Sequence, residues 1–240
     1  MILETLQKYK TYAEEQGLNV FAIALKGSQN YNLDDEESDI DANLVFIPSF
    51  KDLREDTTYK FTFPEGECTC HNLYSFATIV AKGNPQWIEV CNTEYVIGDL
   101  SMFSHFKLNP SALKGMVMEK VTAFKKLYPS RAKYVEQFGY DPKQLHHIIR
   151  LYDLLAKNVN IYKYTDEERD RMIKIKRGLL SEQEADSLKD HYIVKLNEIY
   201  ESRKIKYEPQ PIDYDVLDAI MLEHLIPIKS ETYEEDSIQH

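Results

Sequence analysis

No stretch of this 240-residue sequence approaches the ~18 consecutive apolar residues that a membrane-crossing helix needs, so no membrane partner is expected. The opening residues, Met1-Ile-Leu-Glu-Thr-Leu-Gln-Lys8, carry charges through an amphipathic pattern, unlike the unbroken apolar core of a secretory signal. A soluble, cytoplasmic protein is the expectation. Cysteine is scarce and odd in number: Cys68, Cys70 and Cys91. Their spacing matches no metal pattern, and Cys68 and Cys70 read as small buried hydrophobes on one face of a strand. Basic residues are in deficit, 29 Lys and Arg against 40 Asp and Glu, a net charge of −11. That excludes nucleic-acid binding through bulk charge, while leaving room for a local basic groove. No internal repeat and no low-complexity block is present. What remains, 43% apolar and 12% aromatic residues, is the composition of a globular chain with a real core.

The periodicity changes along the chain. Residues 2–16 repeat apolar groups at helical spacing and stop at Gly17. Residues 19–25 are a short apolar run of strand length ending at Lys26-Gly27-Ser28, and residues 29–38 are polar and turn-rich. A second strand runs from Ile40 to Ile47 and is stopped by Pro48. Residues 51–66 read as a strand or extended loop centred on Tyr59 to Phe63. A third strand covers 67–72, and helices cover 73–82 and 85–91. At their junction Gly83 closes one helix, Asn84 caps the next and Pro85 takes its first position. From about 111 the pattern is helical: 111–127, 130–138, a long helix opened by Gly139-Tyr-Asp-Pro142, one from Ser181 to about 203, and 213–226. Residues 166–177 are highly charged. The expected class is α+β, a mixed β-sheet core with helices followed by a helical C-terminal region. The boundaries are 1–108 for the core, 109–228 for the helical domain and 229–240 for an acidic mobile tail.

The chemistry concentrates between Gly27 and Asp41. Residues i and i+2 of an extended segment share a face, so Asp39 and Asp41 stand side by side with Ile40 turned inward. Two adjacent carboxylates are costly unless a cation lies between them. Hard oxygen donors suit Mg²⁺, which shares its shell with substrate phosphates. Gly27 lets the backbone approach a phosphate, and the Ser28 hydroxyl and following amides can donate to its oxygens. These are the parts of a phosphoryl-transfer site.

Gly-Ser, about ten residues, then Asp-x-Asp between apolar strands resembles the DNA polymerase beta superfamily of nucleotidyltransferases. Lys26-Gly-Ser-Gln-Asn-Tyr-Asn-Leu33, Glu37-Ser-Asp-Ile-Asp41, Lys82-Gly-Asn-Pro85 with Glu89, and Gly139-Tyr-Asp-Pro-Lys143 with His147 and Arg150 resemble the "predicted nucleotidyltransferase" proteins of bacteria and phages. The likeness spans roughly residues 20–180. It implies a mixed-sheet nucleotidyltransferase core, Mg²⁺ or Mn²⁺, and an NTP substrate. It also implies three metal-binding carboxylates, the third on a strand beside the Asp-x-Asp strand. This chain has no Asp on its third strand, and the register points to Glu67, with Thr69 and His71 on the same face. Glu67 is then the third metal ligand and the base for the acceptor hydroxyl.

Gly27 and Ser28 are expected to hold the β- and γ-phosphates. Arg150 and His147, three apart on one helix face, are expected to neutralise the triphosphate, with His146 one step round the helix. Tyr31 either stacks on a base or packs, Trp87 reads as core, and Glu89 could support a nearby cation. Lys174-Ile-Lys-Arg-Gly178 reads as a solvated face or a phosphate contact. The expected activity is transfer of an NMP to an acceptor hydroxyl on a tRNA end, a protein or a small molecule, with release of pyrophosphate. The rival is a catalytically silent relative that binds nucleotide or a partner protein, motivated by the missing third Asp; a metal-dependent hydrolase is a third reading.

Overall fold

The structure is a computed structural model and describes residues 1–36 and 38–225. Helix α1 (Ile2–Glu15) buries the stripe Leu6, Tyr9 and Ala13. It packs on one face of a sheet built from β1 (Asn19–Lys26) and β2 (Asp41–Ile47). After β2 come α2 (Phe50–Glu55), β3 (Tyr59–Phe63) and β4 (Gly66–Asn72). Helices α3 (Leu73–Ala81) and α4 (Pro85–Asn92) follow, then the short strand β5 (Val96–Gly98). The sheet order is β3-β4-β2-β1-β5, with β2 and β4 parallel and the other pairs antiparallel. The class is α+β, as the sequence implies.

Side-chain alternation divides the sheet into two faces. Ile23, Leu25, Leu44, Phe46, Cys68 and Cys70 meet α1 on one. Ala22, Ala24, Val45 and Ile47 meet α3 and α4 on the other. All three cysteines are free and buried, so they act as small core residues.

The helical region comprises α5 (Pro110–Ala123), α6 (Ala132–Phe138), α7 (Pro142–Lys157), α8 (Asp166–Lys176), α9 (Glu182–Ile205) and α10 (Tyr214–Leu225). Leu113, Leu145, Ile148, Leu151, Ile175 and Leu196 form its core. The two halves exchange residues: Tyr31 and Leu33 enter the helical core, whereas Leu217 and Met221 of α10 pack with α3 and the sheet.

Three elements escaped the periodicity. Residues 51–66 hold both α2 and β3, and Ser49 opens α2 with a capping box closed by Asp52. The charged stretch 166–177 is α8, opened by the same device from Thr165 and Glu168. Strand β5 is only three residues long, too short for a period to show. The expected acidic tail, 229–240, lies outside the described residues.

Asp141 caps α7 and is almost fully buried, 1% exposed. It accepts from Arg131 Nε at 2.8 Å, Lys143 N at 3.0 Å and Gln144 Nε2 at 3.2 Å. Burial alone would raise its pKa; the bonds from Arg131 and Gln144 and the Arg131 charge outweigh it and hold the carboxyl below its usual range. A depressed native pKa contributes stability that is complete above the unfolded pKa of about 3.9. That contribution is lost as pH falls through the folded pKa. Asp141→Asn should therefore lower stability at pH 7 and flatten the decline on the acid side. Urea unfolding between pH 3 and 7 checks this; parallel curves for parent and variant would refute it.

Candidate active site

Strands β1 and β2 run antiparallel in a register that sets Lys26 opposite Asp41. The turn leaving β1 and the acids entering β2 therefore share one end of the sheet. Gly27 leaves β1 at φ 127° and ψ −164°, in the left-handed half of backbone space that glycine tolerates. Ser28–Tyr31 form a single 3-10 turn, and Asn32 follows in the left-handed region. The buried side chain of Asn30 ties this turn to the core: Nδ2 donates to Leu25 O at 3.1 Å, and Oδ1 accepts from Thr93 Oγ1 at 2.6 Å. Gln29 Nε2 donates to the carbonyl of Asp39 at 2.8 Å, linking the turn directly to the acidic strand.

The backbone between the acids is equally fixed. Ile40 N donates to Glu65 O at 2.8 Å, and Tyr9 Oη donates to Ile40 O at 3.2 Å. Burial first, then Glu65 and more weakly Asp41 and Asp39, push the Tyr9 hydroxyl up to about 12, so it stays a donor. Gly66 passes this segment at φ 154°, and a Cβ there would lie 2.4 Å from Ile40 O. A backbone atom cannot yield like a side chain. Gly66→Ala should thus displace the Asp-x-Asp backbone and cost more than about 2 kcal/mol, within the range for strained or overpacked positions. Thermal unfolding checks this; a variant as stable as the parent would refute the close approach.

Asp39 is exposed and Asp41 is half-buried. The Glu67 N–H donates to Asp41 Oδ1 at 3.0 Å, so Asp41 and the start of β4 do meet. The Glu67 carboxylate, however, is exposed and pairs with Lys60 Nζ on β3 at 2.8 Å. Among the described residues, no three His, Cys, Asp or Glu stand together to hold a metal unaided. Asp39 and Asp41 offer oxygen donors only, the type Mg²⁺ takes while keeping water and phosphate oxygens in its shell. The donor set fits a cation shared with a triphosphate; it does not form a cage.

Inward from Asp41 on the same face lies Asn43, 1% exposed, with neither amide atom hydrogen-bonded. It pairs in register with Thr69 of β4, and His71 is two residues further on. His71 is buried, its Nε2 has no partner, and its ring meets Trp87 edge-on at 4.9 Å. Burial, then the Lys26 charge, pulls its pKa down, so the ring is neutral near pH 7. Trp87, expected in the core, is partly buried and packs against the core on the α3–α4 face of the sheet. Sequence reasoning passed over Asn43, although one polar residue inside the apolar run Ala42–Ile47 was a visible signal.

Arg150 and His147 both lie on α7, in different surroundings. Arg150 is 6% exposed, and its guanidinium is ion-paired with the buried Glu89 of α4 and lies over the Tyr31 ring at 4.5 Å. Its Nη1 donates to this buried counter-ion, and its Nε has no hydrogen-bond partner. Burial, followed by His146 and Arg150, holds the half-buried His147 well below its ordinary pKa, so it brings no charge near pH 7. His146 is the more deeply placed ring, with Nε2 unpartnered. Tyr31 packs into the helical core instead of standing open to a base. Lys176 donates to Asp35 Oδ2 at 3.0 Å, so one charge of the 174–177 run is spent on the segment before Asp39.

No protein-family model and no curated protein matches this sequence. Among solved structures, one similar chain is a nucleotidyltransferase-like protein from Exiguobacterium sibiricum. It is 14% identical, with 94% of this chain and 87% of that chain covered, at a TM-score of 0.33.

Proposed function

We propose that this chain transfers a nucleotidyl group from an NTP to an acceptor hydroxyl, releasing pyrophosphate. The observation that carries the proposal is the β1–β2 register, which sets Gly27-Ser28 and Asp39-x-Asp41 at one end of the sheet. Gly27 allows a phosphate to approach the backbone, and the Ser28 hydroxyl donates to its oxygens. Asp39 and Asp41 would hold Mg²⁺ together with the triphosphate. When bound, the cation neutralises charge that develops on the reacting phosphate and its leaving group. Lys26 stands beside Asp41 across the register and adds positive charge at the same edge.

The acceptor oxygen bonds to the α-phosphorus as the bond to pyrophosphate breaks. Its proton passes to Glu67. For this Glu67 must leave Lys60, and an exposed pair of that kind is worth about 1 kcal/mol or less, so the exchange is cheap. The Glu67 N–H on Asp41 keeps the two residues adjacent meanwhile. Candidate acceptors are a tRNA end, a protein side chain or a small molecule. The net charge of −11 favours an acceptor that needs only a small contact area.

The Lys60–Glu67 pair also motivates a second reading, a relative that binds Mg·NTP without turning it over. One experiment separates the two. The protein is incubated with Mg²⁺, α-labelled NTPs and cell extract, with and without chelator. Label appearing in a product only when metal is free supports transfer. Calorimetric binding of Mg·NTP with no labelled product supports the silent reading. Absence of both overturns the nucleotide site.

A further inference from the structure

The buried group that the proposed chemistry does not use is the Glu89–Arg150 pair. Two opposite charges in a protein interior are seldom a net gain over apolar residues of equal volume, because both lose their water. Their value lies in the geometry they enforce. Here that geometry joins three segments distant in sequence: α4 through Glu89, α7 through Arg150, and the turn after β1 through Tyr31. The Tyr31 ring lies under the Arg150 guanidinium and is 8% exposed. Arg150 Nε has no acceptor, so the pair is not saturated by other protein groups.

Other bonds hold the same turn to the helical half. Tyr164 N donates to Tyr31 O at 3.0 Å, and Asn32 Nδ2 donates to Tyr164 O at 3.1 Å. Arg169 donates to Asp34 O at 2.6 Å. Every segment from Tyr31 to Asp35 is therefore anchored on α7, α8 or the loop between them. At the other end of the turn, Asn30 is anchored on the sheet side, on Leu25 O and Thr93.

We propose that Glu89, Arg150 and Tyr31 form a clamp by which the helical half sets the conformation of the Gly27–Leu33 turn. In this role Arg150 and Glu89 are positioning residues for triphosphate binding and do not touch the nucleotide. The inference rests on Gly27-Ser28 being a phosphate turn. A stacked, ion-paired guanidinium fixes the tyrosine ring, and the ring, three residues after Ser28, fixes the last residue of the 3-10 turn that Ser28 begins. Because the pair is buried, the clamp should hold at high salt, unlike a surface bridge.

The test uses the full chain and two readouts. The first is amide hydrogen exchange across residues 27–36 without nucleotide. The second is calorimetric affinity for each of the four Mg·NTPs. Arg150→Met removes the charge at similar volume. It should speed exchange in this segment about tenfold or more with α9 amides unchanged, and weaken Mg·NTP binding about tenfold, equivalent to ~1.4 kcal/mol. Tyr31→Phe keeps the ring under the guanidinium and should change affinity less than about threefold. If Arg150→Met does not fold, Tyr31→Leu, which leaves the ion pair intact, should show the same local loosening and weakened binding. A folded variant with parental exchange at 27–33 overturns the clamp. Loosened exchange with parental nucleotide affinity overturns the positioning role. If the parent binds no Mg·NTP, the phosphate-turn assignment fails and the positioning role with it, while the exchange readout still decides the clamp.

Discussion

Asp41→Ala should reduce label transfer by at least about a thousandfold, and Asp39→Ala by a similar factor. A cation at a reacting phosphate contributes several kcal/mol, and each 1.36 kcal/mol is tenfold in rate. Losing either ligand forfeits most of that term. Neither loss should unfold the protein. Asp39 is exposed, and no hydrogen bond or ion pair of its carboxylate occurs among the described residues. Asp41 accepts one backbone bond from Glu67, and Asp41→Asn keeps an acceptor there while deleting the charge. The three variants should be as stable as the parent, because two neighbouring carboxylates repel when no cation is bound. The measurements are single-turnover label transfer and thermal unfolding, made on the same preparations. Transfer at the parental rate in both alanine variants would remove the metal assignment, whatever their stability.

Glu89→Ala should destabilise the protein by about 3–5 kcal/mol, the usual penalty for leaving one member of a buried ion pair alone. For a chain of this length that is about 6–20 °C in Tm, at about 2–4 °C per kcal/mol. Both partners are nearly inaccessible, Glu89 at 4% and Arg150 at 6%. Water therefore cannot solvate the orphaned guanidinium without opening the interface between α4 and α7. Burial pushes the Glu89 carboxyl up, against the Arg150 charge and the Tyr31 hydroxyl that hold it down. The same opposition makes the double variant informative. Glu89→Leu combined with Arg150→Met removes both desolvation costs and should recover much of the stability lost in Glu89→Ala. Recovery of stability without recovery of nucleotide affinity would separate the fold from the clamp. A Glu89→Ala protein with parental Tm would show that the charge is not buried in solution.

Much of the fold was legible because its signals are local. Asn84 before Pro85, Asp141 before Pro142 and Ser181 before Glu184 each cap a helix as their residue types require. The boundaries of β1, β2 and β4 followed to within one residue from period and length. Helices α2 and α8 carried readable capping boxes, but short length and high charge hid their apolar period. Gly27-Ser28 and Asp39-x-Asp41 were legible for the same local reason: residues two apart on an extended chain share a face whatever surrounds them.

Partnership was not legible, because it depends on segments far apart in the chain. The spacing of His147 and Arg150 placed them on one helix face, but not what that face would meet. Packing of α7 against α4 and Tyr31 turned Arg150 inward onto Glu89, 61 residues away in sequence. The pairing of β3 with β4 put Lys60 beside Glu67, and the parallel pairing of β2 with β4 set Asn43 beside Thr69. The sequence by itself determined the elements, their caps and the carboxylate pair with its glycine turn, since these follow from backbone geometry over a few residues. Only the tertiary structure decided which charges are buried, which are paired and which remain open, since desolvation and pairing are properties of neighbours that covalent order does not name.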